Sequence, residues 1–141
     1  MLLAAAAGKD FIFSFYNMVS RVVATDAALA LIAELKAQFG ELIFHQSGGC
    51  CDGSAPMCFQ KGDFKIGYTD VGMGKIDDCE FWMSKDQYEY WQHTRLIIDV
   101  VNGRGSSFSL EIPTGRRFLT RSELFKEEEL GNLTPLFYKE D

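Results

Sequence analysis

The chain has 141 residues, a formal net charge of −6 and 47% hydrophobic residues, which is the composition of one folded domain. Its pI near 4.9 argues against nucleic acid as the main partner, because phosphate contacts require clustered Lys and Arg. The chain lacks a run of about 18 apolar residues, so we expect no membrane partner either.

The first 17 residues differ from the rest of the chain. The apolar run over residues 1–7 is separated from a second apolar stretch by Lys9 and Asp10, and no basic residue precedes it, which argues against a secretory signal. Residues 1–17 are therefore interpreted as an N-terminal extension. It is either an arm that packs on the domain or on a second subunit, or upstream sequence before a natural start at Met18.

Two helices are predicted from their ends. Thr25 or Asp26 can cap a helix that runs to Phe39, and Gly40 is placed to terminate it. Ser84, with a Gln three positions later, predicts the start of a second, short helix. A last helical turn is expected over residues 120–125, where Glu123 completes a similar capping pattern.

The remaining elements are predicted as short strands. Residues 19–24, 41–46, 64–68, 73–76, 80–83 and 95–101 have β-branched or aromatic composition. Residues 107–112 alternate, so a strand is expected with Phe108, Leu110 and Ile112 on one side and Ser107, Ser109 and Glu111 on the other. The pattern predicts an α+β fold with a small curled mixed or antiparallel sheet, a domain over 18–125 and an acidic, solvated tail over 126–141.

The chemistry-bearing segment is the turn-rich stretch from His45 to Cys58, which is predicted to be a loop from residue 47 onward. Three of the four cysteines lie within it, and thiols on a glycine-rich loop suit a soft metal. Such nitrogen and sulfur ligands would suit zinc, iron or copper. The candidate metal ligands are His45, Cys50, Cys51, Cys58 and Cys79.

Other interpretations of these residues stay open. Adjacent cysteines in an extended chain point to opposite sides, so only one of Cys50 and Cys51 is expected to face a given metal. A cysteine in a Gly-rich turn near a histidine could instead be a nucleophile, and Cys79 beside Phe81 could be a buried apolar residue. Asp99, in the middle of a strand, could orient His45 or Arg95.

Residues 22–121 resemble an uncharacterised bacterial family of small proteins. The resemblance rests on the segment His-Gln-Ser-Gly-Gly-Cys-Cys-Asp-Gly-Ser-x-Pro-Met-Cys at 45–58 and on the stretches 90–100 and 103–111. Members of that family are often encoded beside aldehyde dehydrogenases. The resemblance therefore implies a cytoplasmic accessory role in aldehyde or alcohol metabolism, with an aldehyde dehydrogenase as partner and a homodimer as a possible assembly.

A more distant resemblance is to the A-type iron–sulfur carriers of the HesB-like fold. It rests on Thr-Asp-Ala-Ala at 25–28, Gly-Gly-Cys at 48–50 and Gly-Ser-x-Phe at 105–108. It implies a half-barrel sheet with an N-terminal helix, and a cluster ligand at Cys50. The carriers end in a Cys-Gly-Cys pair, whereas this chain has no cysteine after Pro113.

Together these features favour a non-enzymatic accessory protein that binds a metal ion or an iron–sulfur cluster through its cysteine loop. The alternatives are a thiol-based redox protein, with Cys50 or Cys51 as nucleophile and Cys58 as resolving thiol, and an interaction module with structural cysteines.

Overall fold

The computed structural model describes residues 18–48, 53–105 and 108–140. The strands are β1 (Val22–Ala24), β2 (Leu42–Gln46), β3 (Met57–Gln60), β4 (Asp70–Ile76), β5 (Cys79–Ser84), β6 (Thr94–Asn102) and β7 (Arg116–Leu124). The helices are α1 (Asp26–Phe39) and α2 (Lys85–Trp91), with 3-10 turns at Ile112–Thr114 and Leu130–Asn132. The chain is therefore α+β, as predicted. No helix within the described ranges is long and apolar enough to cross a membrane.

The strands form two sheets rather than the single curled sheet that was expected. One sheet has the order β1-β6-β7 and the other the order β3-β2-β5-β4. Each contains one parallel pair, β1 with β6 and β2 with β5, and its other pairs are antiparallel. The two sheets share one core, because Phe44 of β2 meets Phe118 of β7 edge-on, with 5.1 Å between ring centroids.

Helix α1 begins and ends as its caps predict. The Thr25 hydroxyl accepts a hydrogen bond from the Ala28 N–H at 3.2 Å, and Gly40 ends the helix with a φ of 81°. Glycine adopts this left-handed conformation without the steric cost that other residues incur. The helix buries Ala28, Leu31, Ile32 and Leu35 in the shared core.

Three predicted elements are wrong. Residues 120–125 are not helical, because Arg116–Leu124 pairs along its whole length with β6. Residues 64–68 form no strand; Gly67 there donates to the Asp70 carboxylate in a local turn. Residues 108–111 also form no strand; there Phe108 is 88% exposed, whereas Ser109 and Glu111 are buried.

Part of the acidic C-terminal segment packs on the four-stranded sheet. Phe137 exchanges two backbone hydrogen bonds with Gly72 of β4, at 2.7 and 3.1 Å. Its ring lies on Gly72 and meets Trp82 edge-on, with ring centroids 5.0 Å apart. Nearer the start of the segment, Arg95 bonds both Glu123 and Glu129, which ties residue 129 to β6.

Candidate functional site

His45 is held at both ring nitrogens. It lies at the penultimate position of β2 and is only 4% exposed. Its Nε2 lies 2.9 Å from Asp70 Oδ1, and its Nδ1 lies 2.6 Å from the Ser47 hydroxyl. Because a carboxylate oxygen accepts, Nε2 carries the hydrogen of the first bond, and Nδ1 is then free to accept from Ser47.

The surroundings of His45 fix the orientation of its ring. The second carboxylate oxygen of Asp70 accepts from the Gly67 N–H at 2.7 Å, which holds the aspartate in place. Phe64 packs on the imidazole with ring centroids 4.6 Å apart, and Trp82 is the cross-strand neighbour of His45 on β5. The Nδ1 atom therefore points toward exposed Ser47, where the cysteine loop begins.

Both ends of the cysteine loop are tied to β7. The Thr120 hydroxyl donates to Gln46 Oε1 at 2.8 Å, and the Gln46 amide donates to the Gly48 carbonyl. On the other side of the loop, the Gly53 N–H donates to the Thr120 carbonyl and the Thr120 N–H donates to Ser54. Arg117 adds a bond to the Gly53 carbonyl at 3.1 Å. Residues 48 and 53 are thus anchored to the same strand.

Of the five candidate metal ligands, Cys50 and Cys51 lie outside the described residues. The loop that was expected to reach Cys58 ends earlier, because β3 begins at Met57. Cys58 is paired with Phe44 and His45 with Met57, so the two side chains lie on opposite faces of the sheet. Cys79 lies in the same core as Cys58. The structure therefore does not bring His45 together with Cys58 or Cys79.

Cys58 and Cys79 have the properties of buried apolar residues. Both are free thiols, and burial raises the pKa of each above its ordinary value. The charge of Glu111 raises the pKa of Cys58 further. Because the thiolate is the nucleophile and the metal ligand, these two cysteines are poorly suited to either role at neutral pH.

A buried carboxyl group lies next to Cys58. The Cys58 N–H donates to the Ser109 hydroxyl at 2.8 Å, and that hydroxyl donates to Glu111 Oε2 at 2.6 Å. Burial raises the pKa of Glu111, and its Oε1 has no hydrogen-bond partner within the described part of the chain. These contacts attach the segment before the Ile112–Thr114 turn to β3.

Asp99 has a different role from the one expected. It contacts neither His45 nor Arg95, but accepts from Arg121 at 2.9 Å and from the Thr25 hydroxyl at 2.9 Å. The bond from Arg121 is the main cause of its lowered pKa. Asp99 therefore joins the start of α1 to the three-stranded sheet.

Asp70 is the residue of this candidate site that the sequence did not indicate. It is 25 positions from His45, and its place depends on β4 pairing with β5, which in turn pairs with β2. Over residues 18–48, 53–105 and 108–140, no three His, Cys, Asp or Glu side chains form a group that could hold a metal.

Comparison with known protein families places most of the chain in one family model. The family described as "Domain of unknown function (DUF779)" matches residues 31–124, which contain both the His45–Asp70 pair and the cysteine loop. No curated protein and no solved structure matches the chain.

Proposed function

The chain belongs to the DUF779 family, whose function is unknown, and we propose that it binds one transition-metal ion at its cysteine loop. The ligands are His45 Nδ1 and the thiolate of Cys50 or Cys51, with exogenous ligands in the remaining positions. Imidazole and thiolate together suit zinc, iron or copper.

The observation that supports the proposal is the Asp70–His45 pair. Histidines that bind metals almost always donate their other ring N–H to a carboxylate or carbonyl, which fixes the ring and makes the binding nitrogen more basic. The Asp70 carboxylate accepts a hydrogen bond from His45 Nε2 at 2.9 Å, and His45 Nδ1 is directed to Ser47, the first residue of the loop. A metal ion bound to Nδ1 would take the place of the hydrogen bond that Ser47 donates to this nitrogen.

The positions of Cys58 and Cys79 bear on whether the site holds a single metal ion or an iron–sulfur cluster. Cys58 and Cys79 lie in the core, on the opposite face from His45, and their raised pKa values disfavour the thiolate. Only two of the four thiols are then left for a site beside His45, which favours a single ion over an iron–sulfur cluster with three or four cysteine ligands. A redox role with Cys58 as resolving thiol has less support for the same reason.

The biological role that we propose is accessory. Such a site would deliver or sense a metal for an aldehyde dehydrogenase in the cytoplasm, with the protein acting as a monomer or homodimer and without an activity of its own. This part of the proposal rests on the family resemblance of the loop segment. Co-purification of a dehydrogenase subunit with the tagged chain would support it.

Cobalt titration of the metal-free protein tests the site. Co²⁺ bound by thiolates gives an intense near-ultraviolet charge-transfer band, and we expect this band to saturate at one ion per chain. Asp70→Asn should weaken binding by about 10- to 100-fold, as loss of such a partner does elsewhere. Asp63→Asn, at an exposed aspartate, is the matched control and should bind as the unaltered protein does. Equal affinity of the Asp70→Asn and Asp63→Asn variants would contradict the proposal.

A further inference from the structure

A surface cavity of about 240 Å³ lies where three segments meet: the turn before β4, the first turns of α2 and the C-terminal segment. Three of its lining residues are tyrosines, Tyr68, Tyr88 and Tyr138. Its charged lining residues are Asp70 and Lys85. Asp70, whose carboxylate bonds His45, is thus also a lining residue of this cavity.

The aromatic wall of the cavity is held in place yet open to solvent. Tyr138 follows Phe137, whose backbone is bonded to Gly72. Tyr68 and Tyr138 are nonetheless 68% and 58% exposed. Large aromatic side chains presented in this way, around a concave site, are typical of ligand recognition.

The face of Tyr68 is already in contact with a cation. The Lys139 ammonium nitrogen lies 4.6 Å from the centroid of the Tyr68 ring. This is the geometry of a cation–π interaction, in which the negative face of the ring attracts a positive charge. The chain thus places one of its own ammonium groups on a ring that lines the cavity.

We propose that this cavity binds a small organic cation of the alkylammonium class. The tyrosine faces would contact its methyl or methylene groups and its charge, as in other aromatic sites for quaternary ammonium. The Asp70 carboxylate keeps acceptor capacity beyond its bonds to His45 and Gly67 and supplies the opposite charge. The Lys139 ammonium, which lies near the Tyr68 ring, adds a positive charge that opposes a bound cation.

Two further charges affect the cavity. Lys85 is exposed, and its long side chain can turn toward water, so it opposes a bound cation without closing the site. The net charge of −6 attracts cations to the protein as a whole. The proposal does not depend on the metal site, because the metal-free chain would bind the same ligands.

Calorimetric titration of the metal-free full-length protein tests the proposal. The probes are choline and its neutral isostere, 3,3-dimethylbutan-1-ol, which differ in charge but not in shape. We expect choline to bind more tightly than the isostere. Tyr68→Leu should weaken choline binding by about threefold or more, as loss of a cation–π contact does. Tyr90→Leu, at an exposed tyrosine outside the cavity lining, is the control and should change nothing.

Variants of Lys139 and Lys85 test whether the cavity prefers a positively charged ligand. Lys139→Ala removes a positive charge beside the Tyr68 ring and Lys85→Ala removes one from the cavity lining, so each should strengthen choline binding. Weaker choline binding in both variants would overturn the proposal. Equal binding of choline and the isostere, or no binding of either, would also overturn it. These readouts contain no metal, so they are independent of the cobalt experiment.

Discussion

The contact between Gly72 and Phe137 makes a quantitative prediction about how the C-terminal segment is held. A Cβ atom added at Gly72 would lie 2.0 Å from two atoms of the Phe137 ring. Real Cβ atoms essentially never approach another heavy atom so closely. Gly72→Ala must therefore displace the ring from the sheet. The displaced ring loses its edge-on contact with Trp82, and the two backbone hydrogen bonds of Phe137 are strained or broken.

The cost follows from these losses. An aromatic pair contributes about 0.5–1.5 kcal/mol beyond its area, and each backbone hydrogen bond contributes about 1 kcal/mol net. We expect Gly72→Ala to lower the free energy of unfolding by about 3 kcal/mol. In a Phe137→Ala background the added methyl group has room, so the same substitution should cost less than about 0.5 kcal/mol. The coupling between the two sites should then be about 2–3 kcal/mol.

Urea unfolding followed by far-ultraviolet circular dichroism measures this double-mutant cycle. Gly131→Ala is the control, because a Cβ atom there meets nothing within 4 Å and should change stability little. Additive effects of Gly72→Ala and Phe137→Ala would refute the packing of Phe137 on Gly72. A cost for Gly72→Ala as small as that of the control would refute it as well.

Three further predictions concern buried polar groups. Thr120→Val removes the donor to buried Gln46 Oε1 and should cost about 1–3 kcal/mol in urea unfolding; a cost under about 0.5 kcal/mol would contradict this bond. Burial raises the folded-state pKa of Glu111 above the ordinary 4.5, so the unfolded chain loses this proton first as the pH rises. The stability of Glu111→Gln relative to the unaltered protein should therefore increase between about pH 4 and pH 7, and an unchanged difference across this range would contradict it. In a variant with serine at positions 50 and 51, Cys58 and Cys79 should react with a disulfide reagent only in denaturant, whereas fast reaction of the native variant would show that they are accessible.

Features that depend on neighbours in sequence were predictable. Helix α1 has its cap at Thr25 and its stop at Gly40, and both signals lie within four residues of the groups they satisfy. The long strand β6 was also found, because its β-branched run leaves few other conformations.

Features that depend on distant contacts were not predictable. The alternation of residues 107–112 suggested a strand, but Ser109 accepts a hydrogen bond from the Cys58 N–H, 51 positions earlier, and donates one to Glu111, and both side chains are buried. The stretch 120–125 has a helix-capping pattern, yet residues up to Leu124 pair with β6 in a strand. In both cases tertiary contacts override a local preference.

In the candidate site, too, the features that depend on distant contacts were not predictable. The sequence indicated His45 and the thiols, but it could not separate Cys58 and Cys79 from His45, because the two faces of the sheet are assigned only by strand register. It also expected an aspartate to orient the histidine, but at Asp99 of the other sheet. The structure has Asp70 in this position, at the first residue of β4.

Metal content of the natively purified protein tests the central claim most directly. The untagged chain is purified without chelator, and its metals are measured by mass spectrometry beside the variants His45→Gln and Cys58→Ala. We predict about one transition-metal ion per chain, retained in Cys58→Ala and lost in His45→Gln. A metal-free native protein, or a metal that is retained in His45→Gln and lost in Cys58→Ala, would contradict the assignment of the site to His45 and the cysteine loop.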